Sequence, residues 1–227
     1  EGKKGKDTFT YVAIDAKGNS SKPATVKVSI QKQTTAVSYS DLAGDPAHYA
    51  ALRLAEAGVY TGRKVGDLYC FDPDAAFTRE EFLAMAMTAA GKAPLSDVTL
   101  TGFYDDGDIS AWAKGYVSAA LVVGTVEGSR NHLGQTVFTP GSPITQAEAA
   151  VIIDRLLATG DVSGSSSAFS AETAPAWAYQ SVVNMEAVSV ISSSTDLSKP
   201  LTRAQSAQML SAMLDVLDAR DAGGWPW

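Results

Sequence analysis

Three stretches of this 227-residue chain are near-copies of one another, and nothing else in it limits the fold as tightly. They read FTREEFLAMAMTAA (77–90), ITQAEAAVIIDRLL (144–157) and LTRAQSAQMLSAML (201–214). Aligned on Thr78, Thr145 and Thr202, positions +4, +7, +8, +11 and +12 are apolar in fourteen cases of fifteen, Ser206 being the exception. That spacing lines one face of a helix, so the repeat predicts three amphipathic helices in the same phase. Each opens with Thr and carries Glu81, Glu148 or Gln205 three residues later, the capping-box pattern, worth about 1 kcal/mol per cap.

A second helix is expected upstream of each Thr. Trp112-Ala113 and Trp177-Ala178 open two of them, and the first copy has Pro46 there with Tyr49 one turn later. Gly58, Gly124 and Ser189 follow twelve residues on, then Gly62, Gly128 and Ser193 after four more. Glycine just past a helix supplies a left-handed cap. Ahead of the helices stand YSD (39–41), FYD (103–105) and FSA (169–171). The third copy lacks the glycines, the Asp and part of a loop: Ser189 to Thr202 is 13 residues, against 20 and 21 in the other copies.

The first 36 residues differ in kind. Phe9, Tyr11 and Ala13 alternate with polar residues, as do Ala24, Val26, Val28 and Ile30, around the turn-rich DAKGNSSKP (15–23), which predicts a β-hairpin. It is similar to the last two strands of bacterial immunoglobulin-like repeats and is expected to be the remnant of an upstream domain. A lone hairpin of this length is marginally stable. This segment carries seven Lys and three acids, +4, whereas residues 37–227 carry 11 basic and 22 acidic groups, −11, together the −7 of the whole chain. An acidic body argues against nucleic acid as partner, since phosphate recognition needs a positive footprint. No apolar run approaches the ~20 residues of a membrane span, and EGKKGKDTFT has no signal-peptide core, so any export signal is expected outside this sequence. The one cysteine, Cys70, reads as a small hydrophobe near a loop.

The capping box does not account for its second position, held by Arg79, Gln146 and Arg203. A cation on the first helical residue faces the positive end of the macrodipole, unfavourable by a few tenths of a kcal/mol. Two Arg there, in a body of net charge −11, suggest an anion in front of the helix, because helix amides plus a forked guanidinium suit a carboxylate or phosphate. Intrahelical pairing or solvation is the plainer alternative. Trp112 and Trp177 open helices with apolar continuations, so packing between copies is the first expectation and sugar stacking the second.

The order F-x-D, W-A, G-(x)3-G, F-x-P and T-R-A-E resembles the S-layer homology motif; here F-x-P is Phe71-Asp72-Pro73 and Phe138-Thr139-Pro140. The likeness covers about residues 39–220, as repeats at 39–94, 103–161 and a degenerate 169–220, after a 1–36 hairpin segment. It implies a mainly α fold, a pseudo-threefold three-motif helical bundle with a short N-terminal β-hairpin. It also implies non-covalent anchoring of a bacterial surface protein on the secondary cell-wall polysaccharide, often pyruvylated, in grooves between motifs. Carried over, the best groove combines Arg79 with Trp112, Gly124 and Gly128, while Arg203 faces the Gly58–Gly62 loop. Gln146, with Ser189 and Ser193, would leave the groove between copies two and three weak or empty. Asp41, Asp105 and Trp177 complete the expected polysaccharide-binding set.

No catalytic constellation emerges, and neither His48 nor His132 has an evident partner, so no enzyme and no cofactor are expected. YDDGDIS (104–110) lacks the spacing of a calcium loop, leaving Asp108 or Ser110 as caps for the Trp112 helix. A self-assembling lattice module is a different reading, with the hairpin edges as a second route to self-association. A third is the anchor of an upstream wall-acting hydrolase. All three place the protein outside the cell, at the wall.

Overall fold

The computed structural model describes residues 5–30, 33–163, 167–170 and 172–223. The chain divides into two compact units, residues 1–36 and 37–227. In the first, β1 (Gly5–Tyr11) pairs antiparallel with β2 (Ala24–Ile30), with Phe9 opposite Val26 and Tyr11 opposite Ala24. Asp15 closes the connecting turn by accepting from the Lys17 and Asn19 backbone amides. Phe9 and Tyr11 are more than half exposed, because a two-stranded ribbon has nothing to cover its faces.

In the second unit each copy contributes a pair of helices. These are α1 (His48–Glu56) with α2 (Arg79–Ala89), α3 (Lys114–Val122) with α4 (Gln146–Leu157), and α5 (Tyr179–Ala187) with α6 (Arg203–Asp221). Short ribbons, β3–β4 (Arg63–Val65, Leu68–Cys70) and β5–β6 (Ser129–Arg130, Thr136–Val137), separate the helices of copies one and two. The shortened loop of copy three has none among its described residues. No helix among the described residues is long and apolar enough to cross a membrane.

All three second helices begin at a complete capping box. Thr78, Thr145 and Thr202 accept from the amides of Glu81, Glu148 and Gln205, whose side chains accept in return from the Thr amides. The opening helices have no side-chain cap. Asp108 and Ser110 therefore do not cap α3 through their side chains; Ser110 instead donates its amide and hydroxyl to Glu80, at 3.0 and 2.6 Å, tying copy one to copy two.

The capped helices α2, α4 and α6 pack against one another, and each opening helix lies on the capped helix of the preceding copy: α3 on α2, α5 on α4, α1 on α6. The last of these closes the ring. At its centre Thr78 bridges Pro143, Thr145 bridges Pro200 and Thr202 bridges Ala76. Phe77, Ile144 and Leu201, the residues before the three caps, are at most 1% exposed. Their burial anchors the start of each helix in one shared core, at about 2 kcal/mol per side chain.

Asp41 and Asp105 hold the loops that feed this centre. Asp41 accepts from the amides of Phe71 and Asp72 at 2.9 and 2.7 Å; Asp105 accepts from those of Phe138 and Thr139 at 2.8 and 2.7 Å. Asp72 and Thr139 have φ of 54° and 56°, a left-handed conformation that side chains resist. The carboxylates stabilise these strained turns, which gives both residues a structural role. Asp105→Ala removes two charge-assisted bonds and is expected to cost about 2–4 kcal/mol in urea unfolding, with an unchanged m-value.

Lys114 donates to Asp106, which also accepts from the Thr101 amide and hydroxyl. The Lys114 ammonium first, and the Thr101 bonds next, bring the Asp106 carboxyl down to about 2. A folded value below the unfolded one gives stability that is complete above the ordinary carboxylate value of 3.8 and lost as pH falls towards 2. Asp106→Asn is expected to flatten the acid limb of a stability–pH profile between about pH 4 and pH 2.

Candidate functional site

The amides at the start of α2, α4 and α6 are the natural place for an anion, but the protein uses them itself. Arg79 and Glu80 donate to the Ser142 and Pro140 carbonyls, Gln146 and Ala147 to Lys199 and Leu197, and Arg203 and Ala204 to Ala75 and Pro73. The third amide of each helix goes to the cap Thr. With the cap Thr amides held by the Glu81, Glu148 and Gln205 side chains, all four free N–H groups of each terminus are satisfied. The expectation of an anion seated on the helix amides is overturned by this exchange between copies.

The arginine side chains are likewise engaged. Arg79 pairs with Glu148 of the next copy at 2.5 Å, each side chain 21% exposed. Arg203 lies 3.3 Å from the Phe71 carbonyl and 3.4 Å from the Asp72 carboxylate, its guanidinium 5.0 Å above the Phe77 ring. Tyr60, from the Gly58–Gly62 loop, packs edge-on against both Phe71 and Phe77, which brings Arg203 close to that loop. Burial pushes the Tyr60 hydroxyl up, with the Arg203 charge opposing it. These carboxylates and carbonyls answer the unfavourable macrodipole position of both arginines.

Arg79 nonetheless fronts a cavity of about 340 Å³. Its wall is made by the 125–129 loop and by Glu148, Ile152 and Arg155 of α4, and Trp177 stands at its edge. Arg155 holds the Gly124 and Thr125 carbonyls at 3.4 and 3.3 Å and Glu127 at 2.9 Å. The site therefore joins three copies: an arginine from the first, a loop and helix from the second, and an indole from the third. Trp177 is 61% exposed and Trp112 is 54% exposed, so neither packs between copies as a core residue.

Trp112 does not line this cavity. Because α5 lies on α4, Trp177, just ahead of α5, reaches a cavity walled by the copy before its own. The indole that meets the 125–129 loop comes from copy three. Arg155 escaped sequence reasoning because the aligned positions hold Thr88 and Ala212 and the repeat does not announce it. Arg203 lines neither this cavity nor the second one, which lies between copies two and three and includes Gln146, Ser189 and Ser193.

The loop glycines divide into two kinds. Gly58 and Gly124 have φ of 68° and 75° with open space where a Cβ would lie, and Ser189 takes the same conformation at 61°. A Cβ on Gly128 would lie 2.5 Å from the Phe103 ring and 2.7 Å from the Val137 carbonyl; on Gly62 it would meet the Cys70 carbonyl at 2.6 Å. These two are required by close approach as well as by dihedral. The Cys70 thiol shares its one proton with the Asp41 and Asp72 carboxylates, both at 3.1 Å, and those contacts push it up to about 11, the opposite of the shift that activates a nucleophile. The three side chains could be taken for a metal cluster, but Asp41 is committed to two backbone amides.

Three relatives match parts of the chain. The surface-layer 125 kDa protein of Lysinibacillus sphaericus is 30% identical over 129 residues, 55% of this chain and 10% of its own length. The amylopullulanase of Thermoanaerobacterium thermosulfurigenes is 34% identical over 133 residues, 57% of this chain and 7% of the enzyme. The exoglucanase XynX of Acetivibrio thermocellus is 36% identical over 105 residues, 45% and 9% respectively. The chain spans a tenth or less of each. No protein-family profile matches it. These relatives are a surface-layer protein and large polysaccharide-degrading enzymes, and the chain is an extracellular, cell-surface one.

Gly128→Ala is expected to cost more than about 2 kcal/mol, against about 1 kcal/mol for Gly124→Ala, where only the left-handed φ opposes a side chain. Urea midpoints of the two variants measure the difference.

Proposed function

We propose that residues 37–227 are a three-motif S-layer homology bundle. It holds a larger surface protein on the cell wall by binding secondary wall polysaccharide, of a pyruvylated or similarly acidic kind, in the Arg79–Trp177 cleft. The observation that carries this reading is an exposed indole and two guanidinium groups lining one cavity built from three copies. An indole face takes the apolar side of a sugar ring, and a guanidinium takes a carboxylate in a forked, bidentate way. The cavity wall holds two carboxylates beside the two cations. A ligand carboxylate would compete with Glu148 or Glu127 for its arginine, so the ionic gain is partial and stacking on Trp177 adds to it.

The cyclic handover of loop carbonyls and the ring of helix contacts support the bundle assignment. The relatives support anchoring over catalysis, since small parts of a surface-layer protein and of two enzymes of different specificity match this chain, and attachment is what such proteins can have in common. On this reading the chain has no catalytic role of its own, and any enzyme lies elsewhere in the full protein. Lattice self-assembly has no specific support in the geometry.

Sedimentation with purified wall sacculi tests the proposal. Trp177→Ala and Arg79→Ala are each expected to weaken retention about tenfold, equivalent to about 1.4 kcal/mol. Removal of the acidic substituents from the wall polymer should weaken retention of the unchanged protein similarly. Unaltered retention of the Arg79→Ala/Trp177→Ala double variant would refute this cleft as the binding site.

A further inference from the structure

The two ion pairs of the Arg79–Trp177 cleft differ in kind. Arg79 and Glu148 belong to the repeated framework, with Gln146 and Arg203 aligned to the first and Glu81 and Gln205 to the second. Arg155 and Glu127 occur only in copy two. The positions aligned with Arg155 hold Thr88 and Ala212, and those aligned with Glu127 hold Thr61 and Ser192. Both members of this second pair are additions to the repeat, and both line the cavity.

The Arg79 pair is fixed. One Glu148 oxygen accepts from Arg79 at 2.5 Å and the other from the Thr145 amide at 2.9 Å, so turning this side chain away also breaks the cap of α4. Arg79 Nε is buried and makes no hydrogen bond, which closes the Nε–Nη2 fork to a carboxylate from outside. Parting two side chains that are each only 21% exposed would leave two poorly solvated charges.

The Arg155 pair is loose. The Glu127 side chain is 72% exposed and, among the described residues, its carboxylate meets Arg155 alone, at 2.9 Å. Its backbone is held, since Thr125 and Val126 are buried and Gly128 is hemmed in by Phe103 and Val137. Only the side chain has to turn into water, and an exposed ion pair restrains it weakly. Arg155 keeps its place meanwhile, because Nη1 donates to the Gly124 and Thr125 carbonyls. Its Nη2 then faces the cavity without a counter-ion.

We propose that Glu127 is a displaceable internal counter-ion, an autoinhibitory contact, and that Arg155 rather than the repeat arginine Arg79 receives the acidic group of the ligand. The inference rests on the reading of this cleft as the wall-polymer site. Arg79 then acts by neutralising Glu148, which would otherwise repel an acidic ligand from the cleft wall. Acid selectivity is thereby a property of two residues outside the repeat pattern.

Sedimentation of the intact 227-residue chain with purified wall sacculi, native and stripped of acidic substituents, tests this. Glu127→Gln is expected to bind native sacculi about threefold more tightly than wild type, the scale of an exposed ion pair. Arg155→Gln is expected to lose the preference for native over stripped sacculi, a ratio falling from about tenfold to near one. Arg79→Ala/Glu148→Gln is expected to recover most of the affinity lost in Arg79→Ala, because Gln205 shows that Gln completes the same cap. The assignment is overturned if Glu127→Gln binds no tighter, if Arg155→Gln keeps the full preference, or if Glu148→Gln gives no rescue. Any of these with Trp177→Ala still weakening retention leaves the cleft standing without this assignment. Wild-type retention in Arg79→Ala/Trp177→Ala brings down both.

Discussion

The backbone amides that open α2, α4 and α6 donate to carbonyls of the next copy's loop, and the ring depends on this exchange. Pro140 and Ser142 serve α2, Leu197 and Lys199 serve α4, Pro73 and Ala75 serve α6. Buried amides must find acceptors, and here no copy supplies its own. A single motif would leave its helix start and its loop carbonyls unmatched. Three satisfy one another in a cycle, and the buried Phe77, Ile144 and Leu201 lock that cycle to the core.

Everything proposed for binding is built at the seams this exchange creates. Bringing loop 138–142 onto the start of α2 sets Arg79 against Glu148 and beside Gly128. Laying α5 along α4 delivers Trp177 to the same place. The seams are alike in backbone and free to differ in side chain. One has become a cleft with two cations and two carboxylates, another a groove lined by no cation, and the third holds Arg203 against Phe71, Asp72 and Phe77. Copy three has no ribbon among its described residues and lacks the glycines, yet it keeps its place, because Ser189 adopts the left-handed turn and its loop still presents Leu197 and Lys199.

Much of the local architecture was legible in the residues. The three caps, the apolar faces behind them, the hairpin around residues 15–23 and the special status of the loop glycines all follow from short-range rules. The site was less so. Asp41 and Asp105 looked like ligand-binding groups and turn out to clamp strained turns at Asp72 and Thr139. Trp112 was paired with the wrong cleft, and Arg155 carried no signal because only one copy has it.

The division follows the reach of the forces. Capping, helix periodicity and left-handed turns are settled within about four residues, so the sequence by itself determined where helices start, which faces they bury and where a Cβ is unwelcome. Which carbonyl an opening amide meets, which acid answers an arginine and which indole edges a cleft involve residues up to 132 positions apart, as between Arg203 and Phe71. Those choices belong to the tertiary structure, because only closure of the ring brings one copy's charges and amides within reach of another's.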